Sequence, residues 1–251
     1  MRNNLLGDGA GCKGVFKLVS PATGEAFAVK LVERHRSSEA AAKHSFEKEV
    51  TIFYKLRHPG ICRLRTVVSD ARYHMLVVEL CEQGELFSEV ARGALSEATA
   101  RDYFVQIVEA VDYCHSMRIY HRDLKLENVL VKDEATKRIK VSDFGMARDC
   151  GVNSSPATKG MGTVSYMAPE VAAAGPGAYD GAAVDVWSMG VMLYVMVVCN
   201  YPFGHDGVGG VPVREIIRRS SRAEFRFPAH ATLSADIQDL ITGMLTVDVQ
   251  R

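Results

Sequence analysis

The sequence predicts an α+β fold, antiparallel strands first and helices after, and three observations carry that prediction. Strand-like runs rich in Val, Leu, Ile and Phe crowd in before Gly84, broken by glycine-rich and Ser-Asp turn signals. A single helical stretch, Ser37 to Leu56, interrupts them. Beyond Gly84 the pattern turns helical, over Ser96 to Met117, Asp185 to Val198, Val213 to Ser220 and Ser234 to Leu245.

Each element has a local reason. Leu5 to Leu18 reads as a strand, a glycine-rich turn and a second strand. Gly7, Gly9, Gly11 and Gly14 let the backbone approach a polyphosphate and present N–H groups to it. Thr23-Gly24 is a hairpin turn that feeds the strand Ala26 to Val32, where Lys30 is costly unless a partner meets it. The helix from Ser37 carries Glu49 nineteen residues after Lys30 and stops before His58-Pro59. Ile61 to Val68 and Tyr73 to Leu80 read as strands around the turn Ser69-Asp70-Ala71-Arg72, and Gly84 ends the connector that follows. Ser96-Glu97-Ala98-Thr99 caps the next helix, whose Phe104, Ile107, Val108, Val111 and Cys114 recur as core.

Length and composition bound the function. The 251 residues suffice for one large domain or two small lobes. Thirty basic and thirty acidic residues cancel, which argues against nucleic acid or an anionic membrane as the main partner. Six cysteines (Cys12, Cys62, Cys81, Cys114, Cys150, Cys199) lack CxxC or zinc-type spacing and read as thiols of a reducing compartment. The longest apolar run, Val191 to Cys199, is too short to span a bilayer, and Met1-Arg2-Asn3-Asn4 opens no signal peptide. The expectation is a soluble, cytoplasmic monomer without a membrane span.

Chemistry concentrates in Tyr120-His121-Arg122-Asp123-Leu124-Lys125-Leu126-Glu127-Asn128. Phosphoryl transfer needs a carboxylate for the hydroxyl proton, a cation for the moving phosphate and a metal-binding amide, and Asp123, Lys125 and Asn128 supply that set. Fifteen residues after Asn128 comes Asp143-Phe144-Gly145, a second acid after the short apolar strand Ile139 to Val141.

In order and spacing these motifs resemble the catalytic-loop and metal-binding motifs of eukaryotic protein kinases, over nearly the whole chain. The resemblance implies a protein-kinase-like two-lobed fold: an N-terminal lobe over 1–82 with one helix on an antiparallel sheet, and a mainly helical C-terminal lobe over 83–251. It implies ATP and Mg²⁺ as substrate and cofactor, and proteins with Ser/Thr acceptors as partners. Lys30 would hold the α/β-phosphates and pair with Glu49, in preference to Glu47. Val78 would be the gatekeeper, and Glu79 to Cys81 the hinge whose backbone meets adenine. Val15, Ala28 and Leu130 would complete the nucleotide pocket. The glycine loop departs from G-x-G-x-x-G-x-V: reading from Gly7 puts Cys12 at the third glycine, and reading from Gly9 puts Phe16 at the valine. A one-residue insertion with Val15 as the cap repairs it. Glu85 would touch ribose or a substrate arginine, or else favour a helix dipole as a first-turn acid.

By the same resemblance His121 packs under the site, Arg122 anchors a phosphorylated segment, and Asp123 orients the acceptor hydroxyl. Lys125 would neutralise the γ-phosphate, and Asn128 with Asp143 would hold magnesium. Lys125 and Thr163 are serine/threonine marks. Asp143 to Glu170 would be the activation segment, with Thr158, Ser155 and Ser154 as phosphorylation candidates, while the family's usual phosphosite falls on Lys159. Asp185 would tie its helix to the catalytic loop, and Arg251 would pair with Glu170. The last helix or two of a usual large lobe are absent up to Arg251, so the chain reads as a fragment or as a trimmed lobe. Gly9-Ala10-Gly11 followed by Val15-Phe16-Lys17-Leu18-Val19 resembles fungal halotolerance and nitrogen-permease-reactivator kinases. Gly84-Glu85-Leu86-Phe87 is compatible with these and with the calmodulin-dependent and AMP-activated groups. The rival reading is a pseudokinase, a nucleotide-binding scaffold, whose usual signature is loss of the strand lysine or either aspartate. A small-molecule phosphotransferase is disfavoured by Ala168-Pro169-Glu170. Glu85 and Glu127 both lie where a basic residue before the acceptor would be read, so specificity is expected to be basic-directed.

Overall fold

The computed structural model describes residues 4–7, 12–34, 40–150, 163–173, 179–207 and 209–247. Gly9 and Gly11, the candidate phosphosites Ser154, Ser155 and Thr158, Lys159 and Arg251 lie outside them.

The chain begins with strands β1 (Leu5–Gly7), β2 (Gly14–Val19) and β3 (Ala26–Glu33), then helix α1 (Ala40–Lys55), then β4 (Leu64–Ser69) and β5 (Tyr73–Glu79). The five strands form one antiparallel sheet in the order β1-β2-β3-β5-β4. The β2–β3 hairpin turns where Gly24 takes φ +71°, a left-handed conformation that suits glycine. Register places Lys30 opposite Val15 on one side and Leu76 on the other, in the middle of the sheet.

Helical elements follow: α2 (Leu86–Val90), α3 (Glu97–Ser116), α4 (Pro169–Ala173), α5 (Gly181–Val198), α6 (Val213–Ser220) and α7 (Ala235–Met244). Between α3 and α4 the chain makes two small antiparallel pairs. These are β6 (Ile119–Tyr120) with β9 (Arg148–Asp149), and β7 (Val129–Asp133) with β8 (Arg138–Val141). Ser96 caps α3 by accepting from Thr99 N, as its Ser/Thr chemistry predicts.

Two boundaries and one core position differ from the sequence reading: Val108 of α3, expected in the core, is exposed because it falls on the helix's solvent side. The strand expected from Ile61 starts at Leu64, because Ile61 bridges Val141 and the Cys62 N–H is spent on the Val141 carbonyl (2.9 Å). The helix expected to open at Asp185 opens at Gly181, where the Asp180 side chain accepts from Ala182 N as N-cap. That extension joins the apolar run to three small residues, so α5 is by length and composition long and apolar enough to cross a membrane. Its apolar stretch is 78% buried within the fold, the state of a central core helix.

Helix α5 is therefore the axis of the helical part. From Val184 onward nearly every side chain is buried, and Trp187 stacks on Phe203 at 5.4 Å. A β-carbon on Gly190 would lie 2.8 Å from Met244 Cβ and 3.1 Å from Leu245 Cδ2, so α7 approaches α5 only because that position is glycine. Gly190→Ala is expected to destabilise the protein by about 1–3 kcal/mol through overpacking. A urea midpoint equal to wild type would contradict this close packing.

Candidate active site

The segment between β6 and β7 is held from below. Asp185 on α5 has no exposed surface, and its carboxylate accepts the backbone N–H groups of His121 (2.9 Å) and Arg122 (2.7 Å). Arg122 takes φ +67°, so this pinning fixes a turn that a non-glycine residue does not adopt by itself. The turn presents Asp123. Its Oδ1 accepts from Thr163 N (3.1 Å) and Thr163 Oγ1 (3.2 Å), and its Oδ2 lies 3.2 Å from Lys125 Nζ. Asn128 Nδ2 donates to the Asp123 carbonyl at 2.8 Å, and Lys125 Nζ donates to Thr163 Oγ1 at 2.9 Å. Asp123, Lys125, Asn128 and Thr163 thus form one hydrogen-bonded cluster.

Between the sheet and this cluster lies an open cavity of about 250 Å³. Of the predicted residues, Gly7, Val15, Ala28, Lys30, Glu49, Glu79, Cys81, Glu85, Asn128, Leu130 and Asp143 line it, with Val78 at its back. Lys30 Nζ donates to Glu49 Oε1 (2.7 Å) and Asp143 Oδ1 (3.0 Å), and Glu49 rather than Glu47 is the lysine's helix partner. Burial alone would lower the Lys30 ammonium, but the two carboxylates outweigh it and hold it above its usual range. Burial keeps the Glu49 carboxyl above its usual value despite the lysine. For Asp143 burial pushes upward too, yet Lys30 and further donors hold it below its usual value. The difference follows from the surroundings: the His121 charge and the Gly145 N–H add to Lys30 at Asp143, whereas Glu49 has Lys30 alone and the Asp143 charge against it.

Asp143 adopts φ +57° and caps its own turn by accepting from Gly145 N. A β-carbon on Gly145 would meet Asp143 Oδ1 at 3.2 Å and approach Lys30 Nζ and Glu49 Oε2 at 3.6 Å. Phe144 between them is fully buried, edge-on to Phe53 of α1 (5.1 Å) and against His121 (4.8 Å). His121 is buried and its Nε2 bonds the Ser142 carbonyl at 3.0 Å, the packing role expected of it.

The connector after β5 is fixed from outside the cavity. The Glu79 carboxylate faces Lys132 (3.3 Å) and Lys140 (3.1 Å), which leaves only its backbone for a ligand. Lys132 Nζ also donates to the Leu80 carbonyl at 2.8 Å. Lys132 was not among the expected site residues; its one signal is a lysine in the apolar strand Val129–Asp133. Glu85 is the N-cap of α2, and its carboxyl is raised by burial and then by the neighbouring Glu127 charge. Glu127 accepts from Tyr166 OH at 3.2 Å. Arg122 donates to Tyr179 OH and lies 5.4 Å over its ring, while its buried Nε has no partner among the described residues.

The donor chemistry suits magnesium. Asn128 uses its amide nitrogen on Asp123, which leaves the amide oxygen, and Asp143 adds a carboxylate to the same cavity. Mg²⁺ takes one or two such hard oxygens together with water and phosphate, so two protein ligands fit.

The family model "Protein kinase domain" matches residues 1–251, and the chain belongs to that family. ATP and Mg²⁺ are the substrate and cofactor of protein kinases. Among curated relatives, serine/threonine-protein kinases SAPK1 and SAPK4 of Oryza sativa subsp. japonica are 39% and 40% identical over 93% of this chain. CBL-interacting protein kinase 11 of the same plant is 38% identical over 97%. The chain spans 67%, 63% and 47% of those relatives' own lengths.

The Lys30–Glu49 pair gives a pH test. Without the lysine, the Glu49 carboxylate is a buried charge lacking its cation, at a cost of about 3 kcal/mol near neutral pH. A carboxyl whose folded value is raised contributes stability below its unfolded value and loses it as pH rises through the folded one. The thermal penalty of Lys30→Met is therefore expected to be larger at pH 8 than at pH 5. A pH-independent penalty would show that Glu49 leaves the pair without cost.

Proposed function

We propose that this chain is a serine/threonine protein kinase that transfers the γ-phosphoryl group of ATP to protein hydroxyls, with preference for a basic residue before the acceptor. The observation that carries this reading is the cluster in which Thr163, Lys125 and Asn128 all bind the Asp123 residue. The printed names of SAPK1 and SAPK4 support the acceptor class.

Asp123 orients the acceptor hydroxyl and accepts its proton as the oxygen attacks phosphorus. Thr163 supports the carboxylate through two donors, so Asp123 is held in place before a substrate arrives. Lys125 lies against the same carboxylate and supplies positive charge where the phosphoryl group moves. Lys30 holds the non-transferred phosphates, and Glu49 holds Lys30. Val15, Ala28 and Leu130 enclose the base, and the backbone of Glu79 and Cys81 supplies its polar partners. Asn128 and Asp143 would hold magnesium, which would supply positive charge against the phosphates. Lys30, Asp123 and Asp143, whose loss would mark a scaffold, are all in place with partners.

Glu85 and Glu127 are close enough to raise the Glu85 carboxyl, and together they favour a guanidinium between them. We assign this chain to the cytoplasm as a monomer. All six cysteines are thiols rather than disulfides, which supports a reducing compartment.

Radiolabelled phosphate transfer from MgATP to a serine peptide tests the reading, with Asp123→Asn beside the wild type. The variant is expected to lose roughly 10²–10⁴-fold in kcat. Replacing the peptide's upstream arginine by alanine is expected to lower kcat/KM roughly tenfold or more. Nucleotide binding without transfer would favour the scaffold instead, and indifference to the arginine would remove the basic preference.

A further inference from the structure

Two buried thiols sit together at the nucleotide cavity, and neither sulfur has a part in the chemistry above. Cys62 lies just before β4 and is 2% exposed; Cys81 lies in the connector after β5 and is 8% exposed. Both line the cavity. Their segments are tied side by side, since Glu79 N donates to the Arg63 carbonyl (2.9 Å) and Arg63 N donates to Glu79 Oε2 (3.4 Å). The two thiols face the same cavity from these adjoining segments, and each perturbs the other.

That arrangement separates the thiols in reactivity. The neighbouring Cys81 thiol, with burial, raises the Cys62 thiol well above its usual value. The same pairing lowers Cys81, and the Lys132 and Lys140 ammonium groups act in the same direction against burial and Glu79. The other buried cysteine, Cys114, differs: burial and the Asp185 charge push it up to about 12. Only the Cys62–Cys81 pair joins a lowered thiol to a second thiol in contact with it, among the described residues.

We propose that Cys62 and Cys81 form an oxidation site at which a peroxide closes an intramolecular disulfide and thereby blocks nucleotide binding. The Cys81 thiolate attacks one peroxide oxygen, the O–O bond breaks, and water leaves once the departing hydroxide is protonated, giving a sulfenic acid. The Cys62 sulfur then attacks Cys81 Sγ and the S–O bond breaks with loss of a second water. Two thiols and one hydrogen peroxide become one disulfide and two waters, with sulfur oxidised and oxygen reduced. A disulfide holds its sulfurs about 2.05 Å apart, shorter than any thiol–thiol hydrogen bond. Closure therefore draws the connector toward Cys62 and re-aims the Cys81 backbone that borders the cavity. A dithiol reductant reverses it.

The effect on binding rests on the nucleotide reading of this cavity; the disulfide does not. The test treats the full chain with hydrogen peroxide, alkylates the remaining thiols, and maps the unreduced digest by mass spectrometry. A fluorescent ATP analogue is titrated in parallel. The expected result is a Cys62–Cys81 cross-linked peptide and a nucleotide Kd weakened about tenfold or more, restored by dithiothreitol. Cys62→Val and Cys81→Ala, each compared with its own untreated form, are expected to lose that redox response. Both thiols found alkylated after peroxide, or a cross-link with unchanged Kd, would overturn the proposal. A cross-link in a protein whose reduced form binds no nucleotide would support the oxidation site and overturn the nucleotide reading instead.

Discussion

Asp185 is a carboxylate without exposed surface, and three donors converge on it: the backbone N–H groups of His121 and Arg122 and the His115 Nε2 at 2.9 Å. Burying such a charge costs several kcal/mol unless its lone pairs are satisfied, and these contacts satisfy them. The catalytic loop depends on this carboxylate. Arg122 is held at φ +67°, a conformation costing about 1–3 kcal/mol for a side-chain-bearing residue, and it persists because Asp185 grips both neighbouring amides. Asp123 follows at once, so its position is set by a residue more than sixty positions away on α5. Above Asp185 the stack continues through His121, Phe144 and Phe53, linking the helical core to α1 of the sheet region.

Two charged clusters of different design meet at Asn128, which lines the cavity with Lys30, Glu49 and Asp143 and donates to Asp123 beside it. Lys30 lies between Glu49 and Asp143, where burial makes each member need the others. Asp123 is bound by neutral Thr163 donors as well as by Lys125, which holds it ready without a second carboxylate among its described partners. The first cluster suits binding of phosphates by the lysine, and the second suits transfer. The carboxylates of Glu85 and Glu127 line the cavity as well, and the proposed preference for a basic residue rests on them.

Much of this was legible because short-range chemistry dictates it. Lys30 in an apolar strand demanded a partner, and the kinase resemblance supplied a helix acid, with Glu49 nineteen residues on and before the His58-Pro59 stop. Asp123, Lys125, Asn128 and Asp143 were readable because their types and spacing match one reaction. Other features depend on tertiary contacts that no periodicity records. The five residues of α2 are too few to show a helical repeat. The start of α5 was masked by Gly181, Ala182 and Ala183, which carry no apolar stripe although Asp180 caps them. The six cysteines read only as scattered thiols, and it is the adjoining segments before β4 and after β5 that put Cys62 and Cys81 on one cavity. Lys132 reaches the connector across fifty-two positions, a distance invisible to local reading.

The central claim is that one buried carboxylate positions the catalytic loop for transfer, and Asp185→Asn tests it most directly. The amide keeps the shape but offers one acceptor oxygen where the carboxylate offers two, so one of the two loop N–H groups loses its partner. Steady-state kinetics with MgATP and a serine peptide should show kcat lowered on the order of 10²-fold, as expected for a displaced catalytic group, with nucleotide affinity nearly unchanged. A folded Asp185→Asn protein with wild-type kcat would contradict the account.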